Sequence, residues 1–509
     1  MSTSILIKAQ EVKVTSSNLP LIIINTNGKT ISDEPKVEVD MGIIYNGEGV
    51  RNNLSDPFNH FNGKVGIEVR GQSSQSFPMK SYTIEIHDAL GMELEVPLFG
   101  MHKESDWVLY APYTDKSLMR NVLAYTLARD MGRWAAHCKY VELIIDGSYK
   151  GVYVFMEKIK WGKGRVDIAK MTELDNSDDA LTGGYIFSLD KQPNGWISKY
   201  PTPFSTNNNT RQFSYIYPRP QFITEVQKSY IKSAVDKFED ALWSANYQDP
   251  VSGFRKYADV SSFIDYMIVN EVSKNVDGYR LSSYFHKDRD SRNPKIFAGP
   301  VWDYDLAFRN ADYCSGSTIV GWAYQFNIVC PGDGAGLIPF WWEKFMQDSS
   351  YQGELRCRYQ SLLTKELSQQ RLNNLIDSIT SVVAEAQVRH FTQWPILGKY
   401  VWPNPQPLAN TYAEEIANLK GWLFNRISWI NDNLPNKGNC YDFPVNFNGT
   451  MMVKKVIGVP ITTNSTILIE SKLSQEITMV VTDMLGRVIK KQNMSLYYGI
   501  NNISLNPDS

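Results

Sequence analysis

Short runs in which apolar and polar residues alternate dominate the first 110 residues of the chain. Turns rich in Asn, Gly, Asp and Ser separate these runs, and such spacing is typical of consecutive strands. The pattern predicts four strands, at Leu19–Asn25, Lys36–Tyr45, Lys64–Arg70 and Met79–His87. The amino-terminal part of the chain is therefore predicted to be rich in β-structure.

A helix and a hairpin complete this first region. Apolar side chains recur every three or four residues across Ser117–Met131, which predicts a helix that Gly132 ends. The strands Tyr140–Ile145 and Gly151–Glu157 follow, joined through Asp146-Gly147-Ser148. An Asp-Gly pair between two apolar runs is a strong signal for a tight hairpin.

Helical periodicity replaces the strand pattern in the middle of the chain, after a polar segment at Asp190–Asn209 that we expect to be a loop. A short hairpin, Tyr279–His286 with Lys295–Trp302, is predicted to interrupt the helices. Ser262 and Asp265 suggest a capping box at the start of the second helix. One predicted helix begins at Gln221. Three others span Ser262–Lys274, Ser368–Trp394 and Thr411–Leu434.

Alternation returns after Cys440 and predicts a small β-sandwich without an obvious closing strand, which we therefore expect to be truncated. Its strands are Thr466–Glu470, Glu476–Asp483 and Arg487–Gln492, with a turn at Met484-Leu485-Gly486. The predicted class is α+β. Residues 1–18 form a leader or linker, 19–160 a β-rich lobe, 161–439 a mostly helical lobe, and 440–509 an all-β domain.

Composition narrows the function classes. The chain has 509 residues, 43% of them apolar, so it can bury large cores. Its 52 basic and 54 acidic side chains give a net charge of −2, which argues against non-specific binding to nucleic acid or a membrane surface. No apolar run approaches the length of about 20 residues that spans a bilayer. No signal peptide is recognised at the start of the sequence.

The five cysteines are too few and too scattered for a disulfide scaffold or a zinc knuckle. Cys314 and Cys330 flank a loop rich in glycine and aromatic residues. They would pair in an oxidising compartment, and they would remain thiols in a reducing one. The sequence leaves both readings open.

Two acidic groups flank the predicted short hairpin. Asp277 follows a helix, and Asp303 follows the second strand of the hairpin, with Asp305 two residues on. Such an arrangement lets carboxylates face one pocket, as phosphoryl transfer requires: one orients the attacking hydroxyl and another holds Mg²⁺. The plainer reading is that Asp277 and Asp303 are turn residues that cap local backbone.

A Gly/Ser-rich turn offers a second constellation. Gly71, Gln72, Ser73 and Ser74 lie between two predicted strands, and the second strand carries Lys80. Backbone N–H groups in such a turn can hold phosphate, and a lysine can neutralise it, although the turn is not a Walker P-loop. Glu157 ends the later hairpin and would line an adenine slot if this lobe were kinase-like. An unoccupied polar turn and a charged strand end are the alternative readings.

These elements follow the order in which protein kinases place their parts, although His-Arg-Asp, Asp-Phe-Gly and GxGxxG are absent. The sequence from about Leu19 to Leu434 resembles the CotH family, the spore-coat-protein-H-like atypical kinases. The matching segments are Gly66–Glu85, Asp106–Asn121, Gly151–Lys160 with Arg165–Ile168, Gly183–Asp190 and Asn275–Phe308. The resemblance implies a bilobal fold like that of an atypical protein kinase.

The resemblance also implies residue roles. Asp277 would be the catalytic aspartate, Asp303 the metal-holding one, and Lys80 a contact of the nucleotide phosphates. Kinases usually place an asparagine five residues after the catalytic aspartate, and this chain has Ser282 there. Asp305 would compensate as a metal ligand. The implied cofactors are ATP and Mg²⁺.

The leading hypothesis is an ATP- and Mg²⁺-dependent kinase that phosphorylates Ser or Thr of secreted or surface proteins. It would act as a monomer, without nucleic acid. The segment Val481–Val488 resembles the sorting domain of the type IX secretion route, which implies a cell-surface or extracellular location and a signal peptide outside this sequence.

A catalytically inactive kinase-fold protein for surface assembly is the alternative, with Trp322–Trp342 as its binding surface. A third reading is a glycosidase-like hydrolase that uses Asp303 with Asp305, or Glu142 with Glu157, as its acid/base pair. The spacing of these carboxylates does not favour it.

Overall fold

The structure is a computed structural model that describes most of the chain and confirms the predicted α+β class. It describes residues 12–205, 209–332, 336–436 and 440, and the carboxy-terminal segments 446–447, 451–457, 465–471, 475–482, 488–497 and 499–505. No helix among these residues is long and apolar enough to cross a lipid bilayer.

The amino-terminal strands form a closed barrel, a feature that the sequence did not predict. They are β1 Ser16–Ser17, β2 Leu21–Asn25, β3 Val37–Ile44, β4 Asn52–Asn53, β5 Phe61–Arg70, β6 Ser81–His87, β7 Asp106–Tyr110, β8 Cys138–Ile145 and β9 Ser148–Glu157. Seven of them close in the order β2-β3-β5-β6-β7-β9-β8, and the short β1 pairs with β4 outside the barrel. The parallel pairing of β2 with β8, which sets Leu21 opposite Glu142, completes the ring.

The strands β7 and β9 are buried on both faces. Trp107 and Phe155 belong to the apolar core that fills the barrel. Their chain neighbours Val108, Val154 and Met156 belong instead to the core shared with the helices. Because successive strand residues point to opposite faces, near-continuous apolar runs are needed here. This double burial fixes the barrel against the remainder of the protein.

A second sheet of five strands replaces the isolated hairpin that was predicted. Its strands are β10 Tyr185–Leu189, β11 Ile197–Pro201, β12 Thr210–Tyr217, β13 Ser283–Lys287 and β14 Ile296–Ala298, in the antiparallel order β11-β12-β10-β13-β14. The predicted loop at 190–209 therefore contains a strand. The hairpin of β13 and β14 is shorter than predicted, and it extends this sheet because β13 pairs with β10 from Tyr185 to Leu189.

Helices contact both the second sheet and the barrel. They are α1 Arg120–Asp130, α2 Asp178–Leu181, α3 Glu225–Trp243, α4 Val260–Ser273, α5 Phe326–Val329, α6 Trp341–Phe345, α7 Ser349–Leu363, α8 Gln369–Val383, α9 Ala386–Gln393 and α10 Tyr412–Asn433. The predicted capping box at Ser262 is wrong. Asp259 caps α4, and its side chain accepts a hydrogen bond from the Ser262 N–H at 2.9 Å.

The long helix predicted over 368–394 is divided into α8 and α9. The second part turns to pack against β9: the His390 ring accepts a hydrogen bond from the Val152 N–H at 3.1 Å, and the Trp394 indole donates to the Lys150 carbonyl at 2.8 Å. These contacts with a distant strand redirect the chain, and helical periodicity alone does not report them.

The carboxy-terminal strands confirm the predicted β-structure and add to it. They are β15 Asn446–Phe447, β16 Met451–Ile457, β17 Ser465–Ser471, β18 Gln475–Thr482, β19 Val488–Leu496 and β20 Gly499–Leu505. One sheet has the order β15-β16-β17-β20, and β18 pairs with β19. The strands β15, β16 and β20 were not predicted. The predicted turn at Met484–Gly486 lies outside the described residues.

The structure joins Cys314 to Cys330 and Cys357 to Cys440. The first pair is one of the two readings that the sequence left open, and the second was not predicted. Cys138 is free and half-buried. Its thiol pKa is raised to about 12 because burial disfavours the thiolate.

Candidate active site

Four carboxylates and the Gly/Ser turn line one cavity of about 220 Å³. The carboxylates belong to Asp190, Asp277, Asp303 and Asp305. The cavity lies where the ends of β5 and β7 approach the second sheet and α1, so residues far apart in the sequence share it. Acidic side chains therefore face a polar turn across a small space.

The loop after α4 positions Asp277. The helix ends at Lys274, whose φ of 45° turns the chain. The Arg280 guanidinium donates to the Asp277 carboxylate at 2.7 Å. The Asn275 amide oxygen accepts from the Asp277 N–H at 3.1 Å, and its NH₂ group donates to the Asp303 carbonyl at 3.3 Å. Asn275 thus connects the two acidic loops directly.

The buried side chain of Arg280 is itself held rigidly. It donates to the carbonyls of Val276 at 2.8 Å and Gly336 at 3.0 Å, and it lies over the Phe326 ring with 3.9 Å between guanidinium carbon and ring centroid. A buried guanidinium that is satisfied in this way presents a fixed positive charge to its carboxylate. The Asp277 side chain is therefore fixed in place before any ligand binds.

The loop after β14 positions Asp303 and Asp305. Asp303 has a φ of 66°, a left-handed conformation that is uncommon for a residue with a side chain. The Ser282 hydroxyl lies between two carboxylates, 3.4 Å from Asp303 Oδ2 and 3.5 Å from Asp190 Oδ2. A serine in this position contributes a neutral hydroxyl to a strongly acidic neighbourhood.

Burial and mutual repulsion disfavour negative charge on the second loop. Burial is the main cause of the raised pKa of Asp303, followed by the charges of Asp277 and Asp190, while Arg70 acts in the opposite direction. The pKa of Asp305 is raised well above its usual range by burial and by the charges of Asp303 and Asp277. A bound cation would relieve this repulsion.

Carboxylate oxygens are the hard ligands that Mg²⁺ prefers, so the donor set fits that ion. Within the described part of the chain, however, no group of three or more His, Cys, Asp or Glu side chains is close enough to form a ready-made metal centre. The residues that would hold Mg²⁺ are Asp303 and Asp305, at most two protein carboxylates, as is usual for magnesium bound with a nucleotide.

The Gly/Ser turn forms the opposite wall with Gly71, Gln72, Ser73 and Ser74. Gly71 has a φ of +99°, and a Cβ placed there would lie 2.0 Å from the Ser74 hydroxyl, so glycine is required. The Gln75 amide donates to the Gly71 carbonyl at 2.6 Å. The turn is largely exposed and is stabilised mainly within itself.

Two residues proposed for nucleotide binding do not line this cavity. The Lys80 ammonium donates to the Gln75 carbonyl, behind the turn. Glu157 is fully buried, and its carboxylate accepts from the His137 N–H at 3.0 Å and lies 2.8 Å from the His137 ring nitrogen. Both side chains therefore have partners outside the cavity.

Arg70 and Lys191 are cationic residues of the cavity wall that the sequence reading did not select. The Arg70 guanidinium lies over the Trp302 ring, 5.5 Å from its centroid, and Lys191 donates to the Ser73 hydroxyl at 3.2 Å. Arg70 ends β5 at the first residue before the turn. That position was the available signal, since a side chain there is carried to the same edge as the turn.

Four residues that the alternative hypotheses use lie outside this cavity: Trp341, Trp342, Glu142 and Glu157. Trp341 and Trp342 are fully buried in the core, so that end of the predicted surface Trp322–Trp342 is not exposed. Trp322, at its other end, lines a separate cavity of about 260 Å³. The Glu142 carboxylate is also fully buried and accepts from Arg389 at 2.6 Å and from the Tyr149 hydroxyl at 2.6 Å. Neither Glu142 nor Glu157 lines the cavity, which removes that pair as a shared acid and base.

Comparison with known families identifies the class of protein. The family described as CotH kinase protein matches residues 67–430, which is more than two thirds of the chain. The chain belongs to the CotH kinase family. No curated protein matches the sequence. The matched range includes the Gly/Ser turn and all four carboxylates of the cavity.

Proposed function

We propose that this protein transfers the γ-phosphate of ATP, with Mg²⁺, to a serine or threonine hydroxyl of a protein substrate. The observation that supports it most is that Asp277, the pair Asp303 and Asp305, and the Gly/Ser turn share one cavity. Phosphoryl transfer depends mainly on positioning and on charge stabilisation, and these groups supply both.

Asp277 is the proposed catalytic residue. Its carboxylate would accept a hydrogen bond from the substrate hydroxyl, orient that oxygen and receive its proton. The Arg280 contact at 2.7 Å keeps the carboxylate in a single orientation.

Asp303 and Asp305 would hold Mg²⁺, which when bound would neutralise charge on the nucleotide phosphates. Arg70 and Lys191 would contact those phosphates in place of Lys80, because they line the cavity and Lys80 does not. The Gly71–Ser74 turn would cover the phosphates with its backbone N–H groups. The barrel and the helical region would then act as the two lobes of a kinase.

The apolar part of the cavity wall suits a purine ring. Val108, Met156 and Trp302 line it, beside the aromatic rings of Tyr110 and Tyr284. Flat apolar and aromatic walls with a few polar groups are typical of nucleotide sites. ATP is therefore the proposed phosphate donor, with its triphosphate directed toward the acidic loops.

We propose that the protein acts outside the cell or at the cell surface on secreted proteins. Two disulfides favour an oxidising compartment, since such bonds are rare in the cytosol. The resemblance of Val481–Val488 to a type IX sorting domain supports the same location. The substrate would be a protein that follows the same export route.

A kinase-fold binding protein without phosphoryl transfer is the second candidate. It is favoured by Ser282, which stands where a kinase usually carries the asparagine that holds a second metal. A hydroxyl is a weaker ligand than an amide oxygen, so this site suits one metal better than two.

Incubation with γ-labelled ATP and Mg²⁺ separates the two candidates. The proposal expects label on the protein itself or on added protein substrates, and a loss of about 100-fold or more in Asp277→Asn. Asp377→Asn is the matched control, because Asp377 is an exposed carboxylate that pairs with Lys420 on the helical surface. No label in a folded wild-type protein that still binds Mg²⁺ and ATP would favour the binding protein.

A further inference from the structure

The first half of α1 contacts the backbone of the loop that carries Asp303 and Asp305. The Tyr125 hydroxyl accepts a hydrogen bond from the Asp303 N–H at 3.2 Å. The Asn121 amide oxygen accepts one from the Tyr304 N–H at 2.5 Å. Successive amides of the loop are therefore bound by two side chains of one helix.

Arg120, at the start of the same helix, binds the far end of the loop. Its Nε donates to the Ala307 carbonyl at 3.2 Å and to the Phe308 carbonyl at 3.3 Å. Its guanidinium is only 1% exposed and forms ion pairs with Asp115 and, at 2.9 Å, with Glu415. Arg120 is thus fixed from both sides, and it fixes the loop carbonyls in turn.

The loop needs such external support for two reasons. Asp303 and Phe308 have φ values of 66° and 49°, so the backbone adopts left-handed conformations without glycine. The carboxylates of Asp303 and Asp305 line the same small cavity, where like charges repel. A loop with these properties would relax to another conformation unless neighbouring groups determined its path.

We propose that α1 is the positioning element of the metal-holding loop: Tyr125 and Asn121, through the amides of Asp303 and Tyr304, orient the two carboxylates for a divalent cation. This inference rests on the proposed function only for the identity of the ligand. The two hydrogen bonds that join α1 to the loop amides, called the clamp below, are observed contacts. Tyr125 and Asn121 are positioning residues in this account, because they act through the backbone of the loop.

Tyr125→Phe removes one acceptor oxygen and leaves the ring in place. We expect the Mg²⁺ concentration for half-maximal nucleotide binding to rise about 10-fold, and kcat to fall by a similar factor while the KM for the protein substrate stays constant. Asn121→Ala should act in the same direction. Isothermal calorimetry at several Mg²⁺ concentrations measures the first effect, and steady-state kinetics measures the second.

Tyr359→Phe is the matched control. The Tyr359 hydroxyl is also buried and donates to one backbone carbonyl, that of Ile427, at 2.8 Å. It lies outside the cavity wall. Its loss should lower thermal stability about as much as Tyr125→Phe does and leave the Mg²⁺ requirement unchanged. A shift in the control equal to that in Tyr125→Phe would overturn the inference.

Hydrogen exchange of the loop amides separates this inference from the proposed function. In the ligand-free protein, Tyr125→Phe should speed exchange at Asp303, and Asn121→Ala should speed it at Tyr304, whereas Tyr359→Phe should change neither. Unchanged exchange in both variants would refute the clamp even if the wild type is an active kinase. Faster exchange in the two variants, together with a wild type that transfers no phosphate, would support the clamp and leave only the kinase proposal refuted.

Discussion

The two acidic loops of the cavity differ in how far the negative charge of their carboxylates is compensated. In the loop after α4, Asp277 is paired with the buried Arg280 at 2.7 Å. In the loop after β14, Asp303 and Asp305 have raised pKa values because they are buried and lie close to other carboxylates. One loop carries its own counter-charge, and the other is held mainly by contacts with its backbone.

This difference fits a division of labour. A catalytic carboxylate must be oriented before the substrate arrives, and a fixed guanidinium orients it. Carboxylates that bind a metal gain from being poorly compensated, since an incoming cation then relieves repulsion as it binds. Under the proposed function, the first loop would therefore be complete without a ligand, while the second would be complete only with one.

Removal of the built-in counter-charge should have the largest effect. Arg280→Met would remove the ion pair with Asp277 at the cavity. It would also remove the hydrogen bonds that Arg280 donates to the carbonyls of Val276 and Gly336. We expect the free energy of unfolding to fall by about 3–5 kcal/mol, measured by urea denaturation.

Two further variants test whether this loss comes from the pair. Asp277→Asn in the Arg280→Met background should recover part of the lost stability. Arg292→Met, which removes a half-exposed guanidinium with carboxylate partners at the surface, should cost less than about 1 kcal/mol. Equal losses in the two arginine variants would remove the contrast between the loops.

A change in the second loop should abolish ligand binding and spare stability. In Asp303→Asn, we expect the Mg²⁺-dependent affinity for ATP to fall about 100- to 1000-fold, because a charged ligand becomes neutral. The ligand-free protein should be at least as stable as the wild type, since repulsion is reduced. Thermal shift with and without Mg²⁺ and ATP measures both. An unchanged ATP shift would contradict the role given to Asp303.

The stability of the ligand-free protein should depend on pH through the second loop. Raised pKa values mean that the folded state binds more protons than the unfolded state above pH about 4, so the free energy of unfolding falls as pH rises through the raised values. A tenfold difference in proton affinity between the folded and unfolded states is worth about 1.4 kcal/mol. Mg²⁺ should offset this loss, and it should raise Tm more at pH 8 than at pH 5.

Asp305→Asn is the variant that tests the pH effect. Its Tm should vary less with pH over this window than that of the wild type, because the carboxyl with the strongly raised pKa is gone. Parallel Tm profiles of wild type and Asp305→Asn would show that another group causes the dependence.

The smallest effect is expected for Asp190→Asn. The charge of Asp190 contributes to the raised pKa of Asp303, after burial and Asp277. Its removal should move the stability profile slightly to lower pH, a change worth less than about 1 kcal/mol. A larger change than that of Asp305→Asn would reverse the order of causes described for this cavity.

Much of the local structure could be predicted from the sequence. The alternation of apolar residues located six of the seven barrel strands and missed β7. The pair Asp146-Gly147 located the hairpin between β8 and β9, where both residues have positive φ values of 49° and 75°. Closure of the barrel could not be predicted, because it depends on the parallel pairing of β2 with β8, which are more than a hundred residues apart. Short-range patterns report strands and do not report which distant strands pair.

The residues of the candidate site could also be predicted only in part. Asp277 and Asp303 were found because each lies shortly after a predicted helix or strand, and the structure places both at one cavity. Lys80 was selected from its place in a motif, yet its ammonium binds the Gln75 carbonyl behind the turn. The direction of a side chain near a strand end depends on local turns, which explains why Arg70 and not Lys80 lines the cavity.

The reach of Arg120 has a consequence for how the protein is made. It contacts Ala307 and Glu415, which lie 187 and 295 positions further along the chain. The barrel strands up to Glu157 leave the ribosome long before either partner exists. In a nascent chain the Arg120 guanidinium would therefore have only its nearby partners such as Asp115, and its full set of contacts with the acidic loop and α10 would form only after α10 has been synthesised.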